Sequence, residues 1–103
     1  MDNFKIIYRI LKTLEQAMDY EIFDNEIISH DKFGISYERW KNLMIQLNDN
    51  GYISGVHVIR AMGGSGIKLI DPKITLKGME YLEDNTMMKK AYKLLKGAKD
   101  LLT

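Results

Sequence analysis

Apolar side chains recur at helical spacing from the start of the chain: Phe4, Ile7, Leu11, Leu14 and Met18 fall on one stripe, which Ile6, Ile10 and Ala17 widen. The pattern predicts a first helix over residues 2–18, N-capped by Asp2 and ended by the acidic, aromatic stretch Asp19–Phe23. Asp24 is placed to cap a second, shorter helix through Glu26, Ile27 and Ile28 to His30, stopped by the turn at Phe33, Gly34 and Ile35. Ser36 caps a third helix, Tyr37–Asn48, with Glu38 in its first turn, where a carboxylate favours the helix dipole. Trp40, Leu43, Met44 and Leu47 share one face of it, and the run Asn48, Asp49, Asn50, Gly51 is a helix stop.

The pattern then changes. Tyr52–Arg60 is rich in β-branched residues and predicts a strand, Met62–Gly66 a flexible turn, and Ile67–Ile70 the returning strand of a hairpin, broken by Asp71 and Pro72. Thr75 caps a helix over 75–84 carrying Leu76, Met79, Tyr81 and Leu82. Thr86 caps a last helix over 86–102, in which Met87, Met88, Ala91, Leu94, Leu95, Ala98, Leu101 and Leu102 keep helical spacing. Both terminal helices carry wide apolar stripes, so they are expected to pack on each other or on their copies in a homodimer.

This element order predicts one α+β, mainly helical domain over residues 1–103. It is that of a winged helix-turn-helix: the helix-turn-helix over 24–50, a two-stranded wing over 52–70 and an added C-terminal helix. Two local signatures agree with it. Asn50, Gly51, Tyr52 and Ile53 resemble the "GYI" that opens many wings, and Ile74, Thr75, Leu76, Lys77, Gly78, Tyr81 and Leu82 resemble an "LTxxGxxYL" segment of bacterial winged-helix regulators. At a finer level the chain resembles the YjcQ family, small winged-helix proteins of Gram-positive bacteria and their phages. The resemblance is carried by Gly51, Tyr52, Ile53, Gly55, Val56 and His57, by Thr75, Lys77, Gly78, Tyr81 and Leu82, and by Lys90, Ala91, Tyr92, Lys93, Lys96, Lys99 and Asp100. It implies the fold and a phage or prophage setting, and it lends no catalytic residues.

Composition narrows the function. With 103 residues and 46% hydrophobic content the chain has apolar surface enough for one core, and one Pro and eight Gly exclude low-complexity classes. Asp2, Lys5, Arg9 and Lys12 interrupt the apolar start too regularly for a secretion signal, and no uncharged stretch approaches the roughly 18 residues of a membrane span. A cytoplasmic protein is expected. The absence of cysteine excludes disulfides, thiolate metal sites and cysteine nucleophiles.

The remaining chemistry is that of binding. On the third helix, with Trp40 inward, rotation places Glu38, Asn42, Ile45 and Asp49 near the outward centre, Lys41 on one flank, and Arg39 and Gln46 on the other. Asn42 and Gln46 suit adenine edges, while Arg39 and Lys41 suit phosphate or guanine. The expected duplex-DNA contacts are therefore Ser36, Tyr37, Arg39, Lys41, Asn42 and Gln46 on the recognition helix, with Arg60, Ser65 and Lys68 on the wing. This corresponds to a small transcriptional regulator of phage or prophage type.

Charge argues the other way. Between Asp24 and Thr75, Lys32, Arg39, Lys41, Arg60, Lys68 and Lys73 are balanced by Asp24, Glu26, Asp31, Glu38, Asp49 and Asp71. A neutral unit binds phosphate strongly only if its bases cluster, so a protein-interaction module with Ile45 in its contact face stays open as the alternative.

Enzymatic readings fail on motif. Gly63, Gly64, Ser65 and Gly66 lack the GK[ST] ending of a phosphate loop and lie between strands. His57 has no ligand partner at metal spacing, and His30 with Asp31 and Glu26 adds no nucleophile. No catalytic site, metal, cofactor, small-molecule ligand or membrane contact is expected.

Overall fold

A computed structural model describes residues 2–84. Its elements are α1 (Asn3–Ala17), two 3-10 turns (Asn25–Ile28 and His30–Phe33), α2 (Tyr37–Asp49), β1 (Ile53–Ala61), β2 (Gly64–Ile74) and α3 (Leu76–Asp84). The helix expected over 86–102, and with it the pairing of the terminal helices, lies outside the described residues.

α1 begins where its cap dictates, the Asp2 carboxylate accepting from the Phe4 amide at 2.9 Å. Its buried side is the row Ile6, Ile10 and Leu14 with Leu11 beside it. Phe4 sits at the edge of that row and Met18 is already the C-cap, so both are 60% exposed.

The short second helix is instead a pair of 3-10 turns. Asp24 caps the first as expected, accepting from the Glu26 amide at 3.0 Å, but Ser29 is extended and interrupts the helix. The Ser29 hydroxyl bonds the Glu26 carbonyl at 2.8 Å and the Asp31 carboxylate, and such local side-chain bonds compete with helix propagation. Gly34, at φ +67°, ends the second turn in the left-handed region.

α2 is capped by Ser36, whose hydroxyl accepts from the Arg39 amide at 3.2 Å, and it ends at Asn50 before Gly51 at φ +79°. The Trp40 indole N–H donates to the Ile28 carbonyl at 2.7 Å, tying α2 to the first 3-10 turn. Arg9 performs the same service for α1, donating to the Lys32 carbonyl at 3.1 Å with its guanidinium over the Phe33 ring.

The hairpin departs from expectation twice. Ala61 pairs with Gly64, so its loop is only Met62 and Gly63 rather than the five residues Met62–Gly66. β2 also runs through Asp71 and Pro72 to Ile74 instead of breaking there. Between the pairs Val56↔Leu69 and Ser54↔Lys73, Gly55 alone faces Ile70, Asp71 and Pro72. Pro72 is tolerated because this bulge has already interrupted the ladder and asks no N–H of it. Gly55 stands at φ +91°, and a Cβ there would lie 2.5 Å from the Ile70 carbonyl oxygen.

Thr75 caps α3 as expected, accepting from the Gly78 amide at 3.1 Å while donating to the Gly51 carbonyl at 2.5 Å. Leu82 carries α3 into one core with Leu11, Phe33, Met44, Ile53 and Val56. The result is an α+β layout of three helices and a two-stranded antiparallel sheet, compatible with a winged helix. Among the described residues no helix is long and apolar enough to cross a membrane.

Candidate interaction face of α2 and the hairpin

α2 has three sides. Trp40, Met44 and Leu47 enter the core. A second row at three- and four-residue spacing meets the hairpin. In it the Tyr37 hydroxyl accepts from the Ile67 amide at 3.5 Å, the Lys41 ammonium donates to the Ser65 carbonyl at 3.2 Å, and the Asn48 side-chain oxygen accepts from the Val56 amide at 3.2 Å. The third side is open, exposing Glu38, Arg39, Asn42, Gln46 and Asp49.

Two placements differ from the wheel reading. Lys41 is not on an outward flank: it is 7% exposed, held between Ser65 and the Glu38 carboxylate at 2.9 Å. Ile45 is not at the outward centre: it is half-buried, packs against the core and lines a cleft of about 630 Å³ with Val58, Asp49, Arg60 and Ser65. The hairpin lies across this side of α2, so residues four apart from Tyr37 are covered by it.

The hairpin cations are also parted. Arg60 pairs with Ser65 and His57 with Lys68. Alternation along a strand therefore puts Arg60 and Ser65 on one face and His57 and Lys68 on the other. Of the residues expected to touch DNA, Arg39, Asn42 and Gln46 share the open side of α2, while Ser36, Tyr37 and Lys41 are engaged in the cap and the hairpin contact. Arg60 and Ser65 line the cleft, and Lys68 stands apart from them.

Asn48 and Val58 were missed as members of this face. The available signal was a second row beside the core stripe, but a row containing Lys41 and Asn48 reads as solvated unless the hairpin's path is known.

The histidines take different settings. His30 places Nδ1 3.1 Å from the Ile35 carbonyl, with its ring edge-on to Tyr37, whereas His57 is exposed on the hairpin. The Ser29 hydroxyl holds the Asp31 carboxyl below its usual range. Among the described residues no three His, Asp or Glu side chains are grouped to hold a metal ion.

These features define a small α+β protein whose candidate site is an open helix-and-hairpin surface. Residues 8–101 match the family model described as YjcQ protein. Over 101 residues, 97% of either chain, the sequence is 33% identical to a Bacillus subtilis (strain 168) protein described as "Uncharacterized protein YjcQ". The chain belongs to the YjcQ family. No solved structure matches it.

Proposed function

We propose that this chain is a winged-helix protein that binds duplex DNA as a small transcriptional regulator, with α2 in the major groove and the hairpin as the wing. The observation that carries the reading is the row Arg39, Asn42 and Gln46 at i, i+3 and i+7 on the open side of a capped helix. Asn and Gln amides match adenine edges bidentately, and an Arg in the first turn reaches guanine or phosphate.

The charge arrangement sets the strength. Lys41 is turned inward, Glu38 and Asp49 share the open side, and Arg60 and Lys68 lie on opposite hairpin faces. Arg39 and one hairpin cation then supply about two phosphate contacts per protomer, a slope of log affinity against log salt near −2. Fluorescence anisotropy of the full chain against random-sequence duplex DNA, at low and moderate salt, tests this. Weak binding with that shallow slope, lost in Arg39→Ala with Gln46→Ala, is the expected result, and no binding at low salt refutes it.

One observation favours a second reading as a protein-interaction module: the cleft beside α2 has an apolar floor, Ile45 and Val58, between Asp49 and Arg60. If DNA is not bound, the variant to carry forward is Val58→Asp rather than Ile45→Asp, because Val58 is 46% exposed whereas Ile45 packs against the core.

A further inference from the structure

Exposed apolar side chains gather where the chain leaves α1, on a surface sharing no residue with the α2 cleft. Met18, Tyr20 and Ile22 are 60%, 74% and 87% exposed. Met18 and Tyr20 face Pro72 and Ile74 of β2 across an open groove of about 430 Å³ floored by Leu14 and Phe23. Its surroundings are acidic. Asp71 is matched by Lys73 at 3.3 Å, which leaves the exposed Asp19 and Glu21 to set the sign.

The sequence beyond α3 has the complementary chemistry. Residues 87–102 combine Met87, Ala91, Leu94, Leu95, Leu101 and Leu102 with five lysines and one aspartate, a charge of +4 in a chain of net +1. We propose that residues 89–102 occupy this groove in their own chain, apolar positions against Met18, Tyr20 and Pro72 and lysines towards Asp19 and Glu21.

The reach is short. α3 starts two residues after Ile74, which lines the groove, and its nine residues span only about 13 Å. Four or so extended residues recross that distance, and 85–103 provides many more. A tethered segment also meets its groove at an effective concentration of order millimolar, which a second copy at micromolar concentration does not match.

The chain has no cysteine, so Lys89→Cys and Lys96→Cys each give one site for a nitroxide label while leaving the apolar positions intact. In the full-length protein the expected result is loss of NMR intensity at the amides of Met18, Tyr20, Glu21 and Lys73 from at least one label. That loss should be reduced in Asp19→Lys with Glu21→Lys, whose substitutions lie on exposed positions. No loss from either label overturns the proposal. So does a loss that persists when labelled, unenriched protein is mixed with enriched, unlabelled protein, because the segment then sits on a second copy. Loss unchanged by the charge reversals overturns the charge matching. None of these readings depends on DNA binding.

Discussion

Lys41→Met separates a lysine that positions the hairpin from one that meets phosphate. The substitution keeps a flexible apolar stem in the space between α2 and the hairpin and removes only the ammonium. What is lost is one charge-assisted hydrogen bond to the Ser65 carbonyl, worth about 1.5–3 kcal/mol. The ion pair with Glu38 adds little, about 0.2–1 kcal/mol, because the Glu38 side chain is 71% exposed. Against this, the variant no longer desolvates an ammonium on a side chain only 9% exposed, a relief of about 1–2 kcal/mol when discounted for the nearby solvent. The net expectation is a loss of about 1 kcal/mol. Denaturant unfolding followed by the fluorescence of Trp40, the sole tryptophan, measures it. The local consequence is sharper: the Ile67 amide, which donates to Tyr37 beside the lost contact, should exchange its hydrogen faster while the amides of α1 keep their protection. Unchanged exchange in the hairpin would refute the positioning role. If DNA binding is found, its salt slope should stay as in the parent, and a slope shallower by about 0.9 would show instead that Lys41 meets a phosphate.

Further outcomes follow from single features. Trp40→Ala should cost about 3–5 kcal/mol, and Trp40→Phe about 1–3 kcal/mol because the buried Ile28 carbonyl loses its donor; both are read by circular dichroism during denaturation. Gly55→Ala, which forces a side chain onto φ +91° and against the Ile70 carbonyl, should cost more than about 2 kcal/mol, whereas the same change at the open Gly63 should cost only the conformational strain of about 1 kcal/mol. Ser29→Ala should move the Asp31 titration up towards its ordinary value of 3.8, seen by NMR of the carboxyl carbon. Because the folded carboxyl titrates below its unfolded value, its contribution to stability is present above the unfolded value and is lost as the pH falls through the folded one, and Ser29→Ala should flatten that loss.

The features legible in the sequence are those settled within about one helical turn. The caps at Asp2, Asp24, Ser36 and Thr75 each bond an amide two or three residues on, and the core row of α2 follows from its period alone. The bulge was not legible, because Gly55 and Pro72 each have several local meanings and acquire this one only when the strands bring them together. Lys41 failed for the same reason: a helical wheel assigns a lysine outward, and only the path of the hairpin across α2 turns it inward.

The parting of Arg60 from Lys68 shows how far one such non-local choice reaches into function. A five-residue loop over 62–66 makes Ala61 pair with Ile67, and so sets Arg60 opposite Lys68 on a single basic face. The two-residue loop of Met62 and Gly63 makes Ala61 pair with Gly64. That register shift of three residues is odd, so it moves Lys68 to the opposite face and sets Arg60 against Ser65. Under the proposed DNA-binding function, the hairpin's phosphate contacts would be set by the length of its loop more than by its count of lysines and arginines. Imposing the longer register, by replacing Gly64, whose φ of +143° disfavours any side chain, is expected to steepen any salt dependence by about one phosphate contact.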